Sequence, residues 1–150
     1  MNDTKQQLYD FCRTFVEGRI SRIQNNIKDV QESLNSETKS SAGDKHETGR
    51  AMLQLEREKM GQQLAEAEKM RQALSKVGVN EKSRTVGLGS LVRTSKANYF
   101  LAISAGEYKD GALSAFCIST GTPIGRLLLS KSEGDAITFN QEEIEIFEIE

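Results

Sequence analysis

The chain has 150 residues, of which 37% are hydrophobic and 28% are charged. This apolar content is low for one compact globule and typical of a chain with an exposed coiled coil, and the length allows one domain or two small ones. A net charge of −2 argues against a chain that coats nucleic acid and favours a protein partner.

The first residues lack the features of a signal peptide, because no basic segment precedes an apolar run. No stretch of about 18 apolar residues occurs anywhere, so we expect no membrane-spanning helix. Cys12 and Cys117 have neither metal-ligand nor redox-motif spacing, and we expect two free thiols in a reducing compartment. Together these observations predict a cytoplasmic protein.

Residues 1–78 carry apolar side chains at helical spacing in two segments. The first segment has Leu8, Phe11, Phe15, Val16, Ile20, Ile23, Ile27, Val30 and Leu34, and the second has Leu53, Met60, Leu64, Ala67, Met70, Leu74 and Val77. From Ile20 onward the steps alternate between three and four, which is the spacing of a coiled-coil seam. The pattern predicts two helices, each roughly 30 residues and about 45 Å long.

A polar, Ser-rich segment from Asn35 to Asp44 separates the two seams, and its residues favour turns. Two seams on either side of one break can close on each other as an antiparallel hairpin with its tip at about residues 35–48. Pairing between two chains is the alternative outcome. Asp44 and Glu47 have the spacing of a capping box, which would by itself explain both acids.

Residues 79–84 read as a linker, and the apolar period changes towards two from residue 85 to residue 150. Five strands are predicted: Leu88–Arg93, Tyr99–Ser104, Leu113–Ile118, Ala136–Phe139 and Ile144–Ile149. A turn is predicted over 106–111, and a short helix is predicted after Thr122 as N-cap with Pro123 in its first turn. We therefore predict an α+β chain whose second half is an antiparallel sheet with one short helix. The alternation in the last strand slips at Phe147, which predicts a bulge or a strand end buried on both faces.

Motifs for a self-contained active site are missing from the sequence. The single histidine, His46, lies in the predicted tip, and no Gly-rich phosphate loop or zinc-ligand spacing is present. We expect a protein that is not itself an enzyme.

Residues 119–135 read STGTPIGRLLLSKSEGD. This segment resembles the C-terminal signature of the Gre transcription elongation factors, a Ser-Pro-Ile-Gly-Arg-Ala-Leu-Leu-Gly-Lys-like run followed by Gly-Asp. Residues 43–48 read GDKHET and resemble the Gly-Asp-Leu-Ser-Glu-Asn hairpin tip of that bacterial family. The order of parts also matches over nearly the whole chain.

The resemblance implies a coiled-coil hairpin that enters the secondary channel of RNA polymerase and an FKBP-like domain that docks at the channel entrance. It implies that Asp44 and Glu47 help to hold a magnesium ion in the polymerase active site, where the polymerase cleaves the 3′ end of backtracked RNA. It assigns polymerase contacts to Thr122, Pro123 and Arg126. No metal would be bound by the free protein, which we expect to be a monomer.

The tip departs from the family pattern, which has a further acid and an aromatic where this chain has Arg50 and Ala51. Lys45 and Arg50 offset the acids, and a nearly neutral tip binds a cation less well than an acidic one. Two alternatives therefore stay open. One is a secondary-channel regulator that does not stimulate cleavage, and the other is an adaptor protein that uses its coiled coil to bind another helix.

Overall fold

A computed structural model describes residues 3–38 and 43–150, the side chains of residues 37, 38 and 43–46 excepted. Three helices and six strands follow one another in the order α1 (Asp3–Thr38), α2 (Gly43–Ser75), β1 (Leu91–Thr94), β2 (Asn98–Ala102), β3 (Gly106–Asp110), β4 (Leu113–Ser119), α3 (Pro123–Leu128), β5 (Ala136–Phe139) and β6 (Glu142–Ile149). The predicted α+β class is confirmed. None of the helices in the described ranges is long and apolar enough to span a membrane.

Contacts divide the chain into two compact units. One unit is Val16–Met70, which contains most of α1 and α2. The other combines the start of α1, up to Phe15, with Arg71–Glu150, and therefore contains the whole sheet. The sequence predicts three consecutive segments, 1–78, 79–84 and 85–150. In the structure, the unit that contains the sheet also includes the start of α1.

In the helical unit, the two predicted seams close on each other. Val16, Ile20, Ile23, Val30 and Leu34 of α1 are buried, as is Ala67 of α2, while Leu53, Met60, Leu64 and Met70 are half-buried. The Arg19 Nη1 atom lies 3.6 Å from the Met70 sulfur, and the Arg50 Nη1 atom donates to the Leu34 carbonyl at 3.2 Å. Because an early residue of α1 meets a late residue of α2, the helices are antiparallel, which confirms the hairpin.

The break between the helices is shorter than predicted. Asn35–Thr38 belong to α1, and α2 begins at Gly43, one residue before the predicted cap. Asp44 therefore lies in the first turn of α2 and not at its N-cap. The polar residues after Leu34 are tolerated in a helix because they need no apolar contact on an exposed surface and their propensity penalties are small. Residues 39–42 of the predicted tip lie outside the described residues.

The sheet has six strands in the order β3-β4-β2-β1-β6-β5. All neighbours are antiparallel except β2 and β4, which are parallel, so the prediction of five antiparallel strands differs from the structure at these points. The additional strand is β3, where a turn was predicted. Only Tyr108 of β3 is half-buried and the other four residues are exposed, so this edge strand has no apolar alternation to reveal it.

The two faces of the sheet are covered differently. One face carries the main core under α3, which contains Val86, Val92, Tyr99, Leu101, Leu128, Ile137, Ile144, Ile146 and Ile149. On the other face the first turns of α1 pack over β3 and β4, where the Phe11 and Tyr108 rings meet edge to face with centroids 5.2 Å apart. The β2 residue Phe100, fully buried, pairs with Cys117 on this same face.

The last strand contains the predicted irregularity. The register between β1 and β6 shifts between Arg93 and Thr94, which pair with Glu148 and Ile146. The shift lets Ile146 and Ile149 enter the same core although they are three residues apart, while Phe147 is left 57% exposed. The predicted bulge is confirmed.

Candidate functional site

The first candidate site is the hairpin tip. The backbone of Asp44 lies in the first turn of α2, and its side chain is outside the described part, as is that of His46. Glu47 is exposed one turn further along the helix. Positions three apart on a helix face the same way, so the backbone permits both carboxylates on one side. Their joint use as metal ligands stays a prediction.

Arg50 gives the tip a fixed cation. It lies three residues after Glu47 on α2, is half-buried, and donates from Nη1 to the carbonyl of Leu34 on α1 at 3.2 Å. This hydrogen bond joins the two helices near their connected ends. Arg50 is thus part of the hairpin's construction and adds a positive charge to the turn of α2 that follows Glu47.

A metal site complete within the chain is not found among the described side chains. No group of three or more His, Cys, Asp or Glu residues there is arranged to hold an ion. Of the two carboxylates predicted for magnesium, only Glu47 lies among those side chains. One carboxylate provides too few ligands for a protein-bound cation of this kind. Any magnesium held by the tip would need further ligands from a partner.

The second candidate site begins at the N-terminus of α3. Thr122 caps the helix in extended conformation (φ −69°, ψ 157°), and its Oγ1 accepts from the Gly125 amide at 3.1 Å. The same hydroxyl donates to the Ser119 carbonyl at 2.8 Å. Pro123 follows in the first turn, where its missing N–H leaves no hydrogen bond unmade. The predicted cap is confirmed.

Gly125 explains why the helix can lie so close to the end of β4. A Cβ atom at this position would clash with the Ser119 carbonyl and would lie 2.7 Å from the Thr122 hydroxyl. Gly125 is buried, and Leu128, fully buried, anchors the helix to the core. Pro123 and Arg126 remain exposed. The geometry therefore presents two of the three predicted partner-binding residues to solvent, with half-buried Thr122 holding the turn in place.

An apolar groove of about 370 Å³ lies beside this helix. It is lined by Lys96, Ala97, Tyr99, Phe116, Ile118, Ile124 and Phe139. The Tyr99 and Phe116 rings stack with centroids 6.1 Å apart, and Phe116 is 38% exposed. Burial raises the pKa of the Tyr99 hydroxyl, which therefore stays neutral. Lys96 pairs with Glu142 at 3.3 Å.

The sequence did not reveal this groove, because its lining residues are far apart along the chain. Tyr99, Phe116 and Phe139 come from three separate strands, β2, β4 and β5, and Ile124 comes from α3. They converge only through the strand order. Phe116, in the middle of β4, is the apolar residue that the structure leaves exposed. Its exposure cannot be predicted from the sequence of one strand.

Comparisons with known proteins give a resemblance at the level of structure alone. No family profile matches the sequence, and no curated protein matches it. The structure is similar to that of GreA factor homolog 1 (Gfh1) of Thermus thermophilus, with 18% identity, 90% of this chain and 92% of that chain covered, and a TM-score of 0.37. A second structure, described as the transcription factor Gfh1, gives 18% identity, coverage of 89% and 90%, and a TM-score of 0.36.

Proposed function

We propose that the chain is a Gre-like transcription factor that binds RNA polymerase at its secondary channel. The observation that carries the proposal is the intramolecular hairpin of two helices with 36 and 33 residues, each about 50 Å long, with acids at the connected ends. A hairpin of two helices of this length suits insertion into a channel. The segment 119–135, in which Thr122 caps α3, supports the same family.

The surface around α3 is the proposed docking site for the polymerase. Pro123 and Arg126 are exposed, and the groove beside them offers the half-exposed Phe116. Exposed aromatic residues beside an arginine are typical of the small set of side chains that supply most of the binding energy at an interface. We infer that an apolar side chain of the polymerase fills the groove while Arg126 meets an acidic residue.

At the hairpin tip, Asp44 and Glu47 are proposed to assist cleavage of backtracked RNA. Hydrolysis of a phosphodiester by a two-metal site needs oxygen ligands for the second magnesium ion and an oriented water. The polymerase would supply the remaining ligands, and the tip would supply carboxylates next to the RNA 3′ end. The chain itself then needs no active site of its own, and it acts wherever the polymerase does, in the cytoplasm.

A second candidate function is favoured by Arg50. Its guanidinium is fixed at the tip by the hydrogen bond to Leu34 and reduces the local negative potential that would attract magnesium. A hairpin with such a tip would occupy the channel without stimulating cleavage. The chain would then regulate the polymerase by competing with other ligands of the channel.

Binding to core RNA polymerase tests the docking surface. We expect Phe116→Ser to weaken binding about tenfold or more, because the groove loses its exposed aromatic. Phe147→Ser is the matched control, since Phe147 is 57% exposed on β6 and does not line the groove. Equal affinities of the two variants would refute the docking site, and no binding by the wild type would favour the adaptor alternative.

Transcript cleavage in stalled elongation complexes separates the two versions of the function. We expect the wild-type chain to accelerate cleavage, and the double variant Asp44→Ala, Glu47→Ala to bind without accelerating it. Glu58→Ala, an exposed acid further along α2, is the control and should behave like the wild type. If the wild type binds and accelerates nothing, the non-cleaving regulator is the correct version.

A further inference from the structure

The two cysteines of the chain meet in the structure although they are far apart in the sequence. Cys12 lies on α1 and Cys117 on β4, and both are free thiols. They are 0% and 1% exposed, and each thiol shifts the pKa of the other, so the two side chains are neighbours in the interior. Neighbouring thiols on two packed elements form a disulfide once a local adjustment brings the sulfur atoms to bonding distance.

The surroundings hold the two thiols together from both sides. Cys117 pairs with Phe100 of β2 and with Gly106 of β3, which fixes its position inside the sheet. The residue before Cys12, Phe11, packs against Tyr108 with ring centroids 5.2 Å apart.

The environment also makes the two thiols chemically unequal. The hydrogen bond from Cys117, helped by a backbone hydrogen bond from Ile103, lowers the pKa of Cys12 against the opposing effect of burial. The same hydrogen bond and burial raise the pKa of Cys117. Cys12 is therefore the thiol that more readily becomes a thiolate, the form that reacts with oxidants.

We propose that Cys12 and Cys117 form an intramolecular disulfide when the protein meets a hydroperoxide. The Cys12 thiolate attacks one peroxide oxygen, the O–O bond breaks, and hydroxide leaves, so that Cys12 becomes a sulfenic acid. The Cys117 sulfur then attacks the Cys12 sulfur, the S–O bond breaks, and water leaves as the disulfide forms. The two thiols supply two electrons, and hydrogen peroxide is reduced to water.

The disulfide would fasten the first turns of α1 to β4. In the reduced protein this part of α1 is held by packing and by polar contacts, such as the hydrogen bond from Lys5 Nζ to the Glu81 carbonyl at 2.7 Å. A covalent link between residues so far apart in the chain greatly restricts the unfolded ensemble. The oxidised protein would keep α1 on the sheet under conditions that detach it from the reduced protein.

Treatment of the purified, full-length protein with hydrogen peroxide tests the proposal. We expect a mass decrease of about 2 Da that dithiothreitol reverses, a monomer on a non-reducing gel, and a peptide pair linked through Cys12 and Cys117. The melting temperature should rise by about 5–15 °C. Because both sulfurs are buried, oxidation should be slow and yield one product.

Cys12→Ser and Cys117→Ser are the matched controls, and neither should show the mass decrease or the rise in melting temperature. Peptide mapping of the oxidised wild type decides the question even if one of these variants folds poorly. Mass increases from sulfinic acid, disulfides between two chains, or thiols that survive the oxidant in the native protein would each overturn the proposal. None of these outcomes depends on binding to polymerase.

Discussion

At the scale of single residues, Lys5 is the most unusual side chain among those described. It is 2% exposed, and its ammonium group donates to the Glu81 carbonyl at 2.7 Å. A buried lysine is tolerated when its charge is compensated, and here the carboxylates of Glu150 and Glu81 act in that direction. Lys5 therefore connects the start of α1 to the segment that follows α2.

Replacing Lys5 tests this connection. We expect Lys5→Ala to lower the free energy of unfolding by about 2–3 kcal/mol, because the variant loses a charged hydrogen bond and the packing of the aliphatic stem. Lys5→Met keeps the stem and should lose less. Lys28→Ala, at an exposed position on the same helix, should change the value by under about 0.5 kcal/mol. Urea denaturation measures all three, and equal effects at Lys5 and Lys28 would contradict the buried role.

The pH dependence of stability should carry the signature of Lys5. Burial lowers the pKa of Lys5 below its ordinary value of 10.5, so folding penalises the charged form. The penalty is complete below the lowered pKa and disappears as the pH rises towards 10.5, so the contribution of Lys5 to stability increases over that window. We expect the unfolding free energy of the wild type to increase relative to that of Lys5→Met as the pH rises from 8. A decrease of this difference with rising pH would mean that folding raises the pKa of Lys5.

Sequence reasoning succeeded for residues whose role is local. Thr122 and Pro123 define the start of α3 through their own backbone conformation and hydrogen bonds, so three residues of sequence were enough to predict them. The contact of Cys12 with Cys117 depends on strand pairing and on the course of α1, and neither is encoded near either cysteine. The burial of Lys5 is unpredictable for the same reason.

At the scale of elements, α3 and β3 show opposite relations between sequence and structure. The helix was predicted because an N-cap, a proline and an apolar run coincide in a few residues. The strand was mistaken for a turn because Gly106 and Gly111 border a polar segment. β3 forms because β4 offers it an unpaired edge with five residue pairs in register, which is a tertiary effect.

Two glycines in the loop and helix after β4 give a matched test of how tightly α3 packs. Gly125→Ala places a methyl group against the Ser119 carbonyl, so we expect a loss of about 1–3 kcal/mol in unfolding free energy and weaker binding to the polymerase. Gly121→Ala meets only the Ser119 hydroxyl at 3.8 Å, an ordinary contact, and should change stability by under about 0.5 kcal/mol. Thermal unfolding of both variants checks the difference. Similar melting temperatures would show that α3 moves aside without cost.

At the scale of the whole chain, the seam residues of both helices find their apolar partners within one molecule. Ile20, Ile23 and Ala67 are buried in the isolated chain, so their burial needs no second copy. The order of helix, tip, helix and sheet was predictable from the change of apolar period. The sequence did not predict that the start of α1 and the end of α2 belong to the same unit as the sheet. The apolar spacing in these two segments is the same as in the rest of the hairpin.

A monomer in solution is therefore the expected state. Sedimentation equilibrium should give a mass near 16.7 kDa that does not depend on protein concentration. If the hairpin instead opened and exchanged helices between chains, the mass would double at high concentration, and the alternative of pairing between chains would be correct.

The unit that contains the sheet is discontinuous in the chain: it needs the residues before Val16 and those after Met70. The ribosome makes the first of these groups long before the second. Leu8 and Cys12 therefore stay exposed to water until β4 has been made. During that delay the nascent chain can pair its two long helices but cannot complete the unit that contains the sheet. We expect translation to release a half-assembled chain whose earliest segment is the last to dock, and therefore the segment most in need of a chaperone.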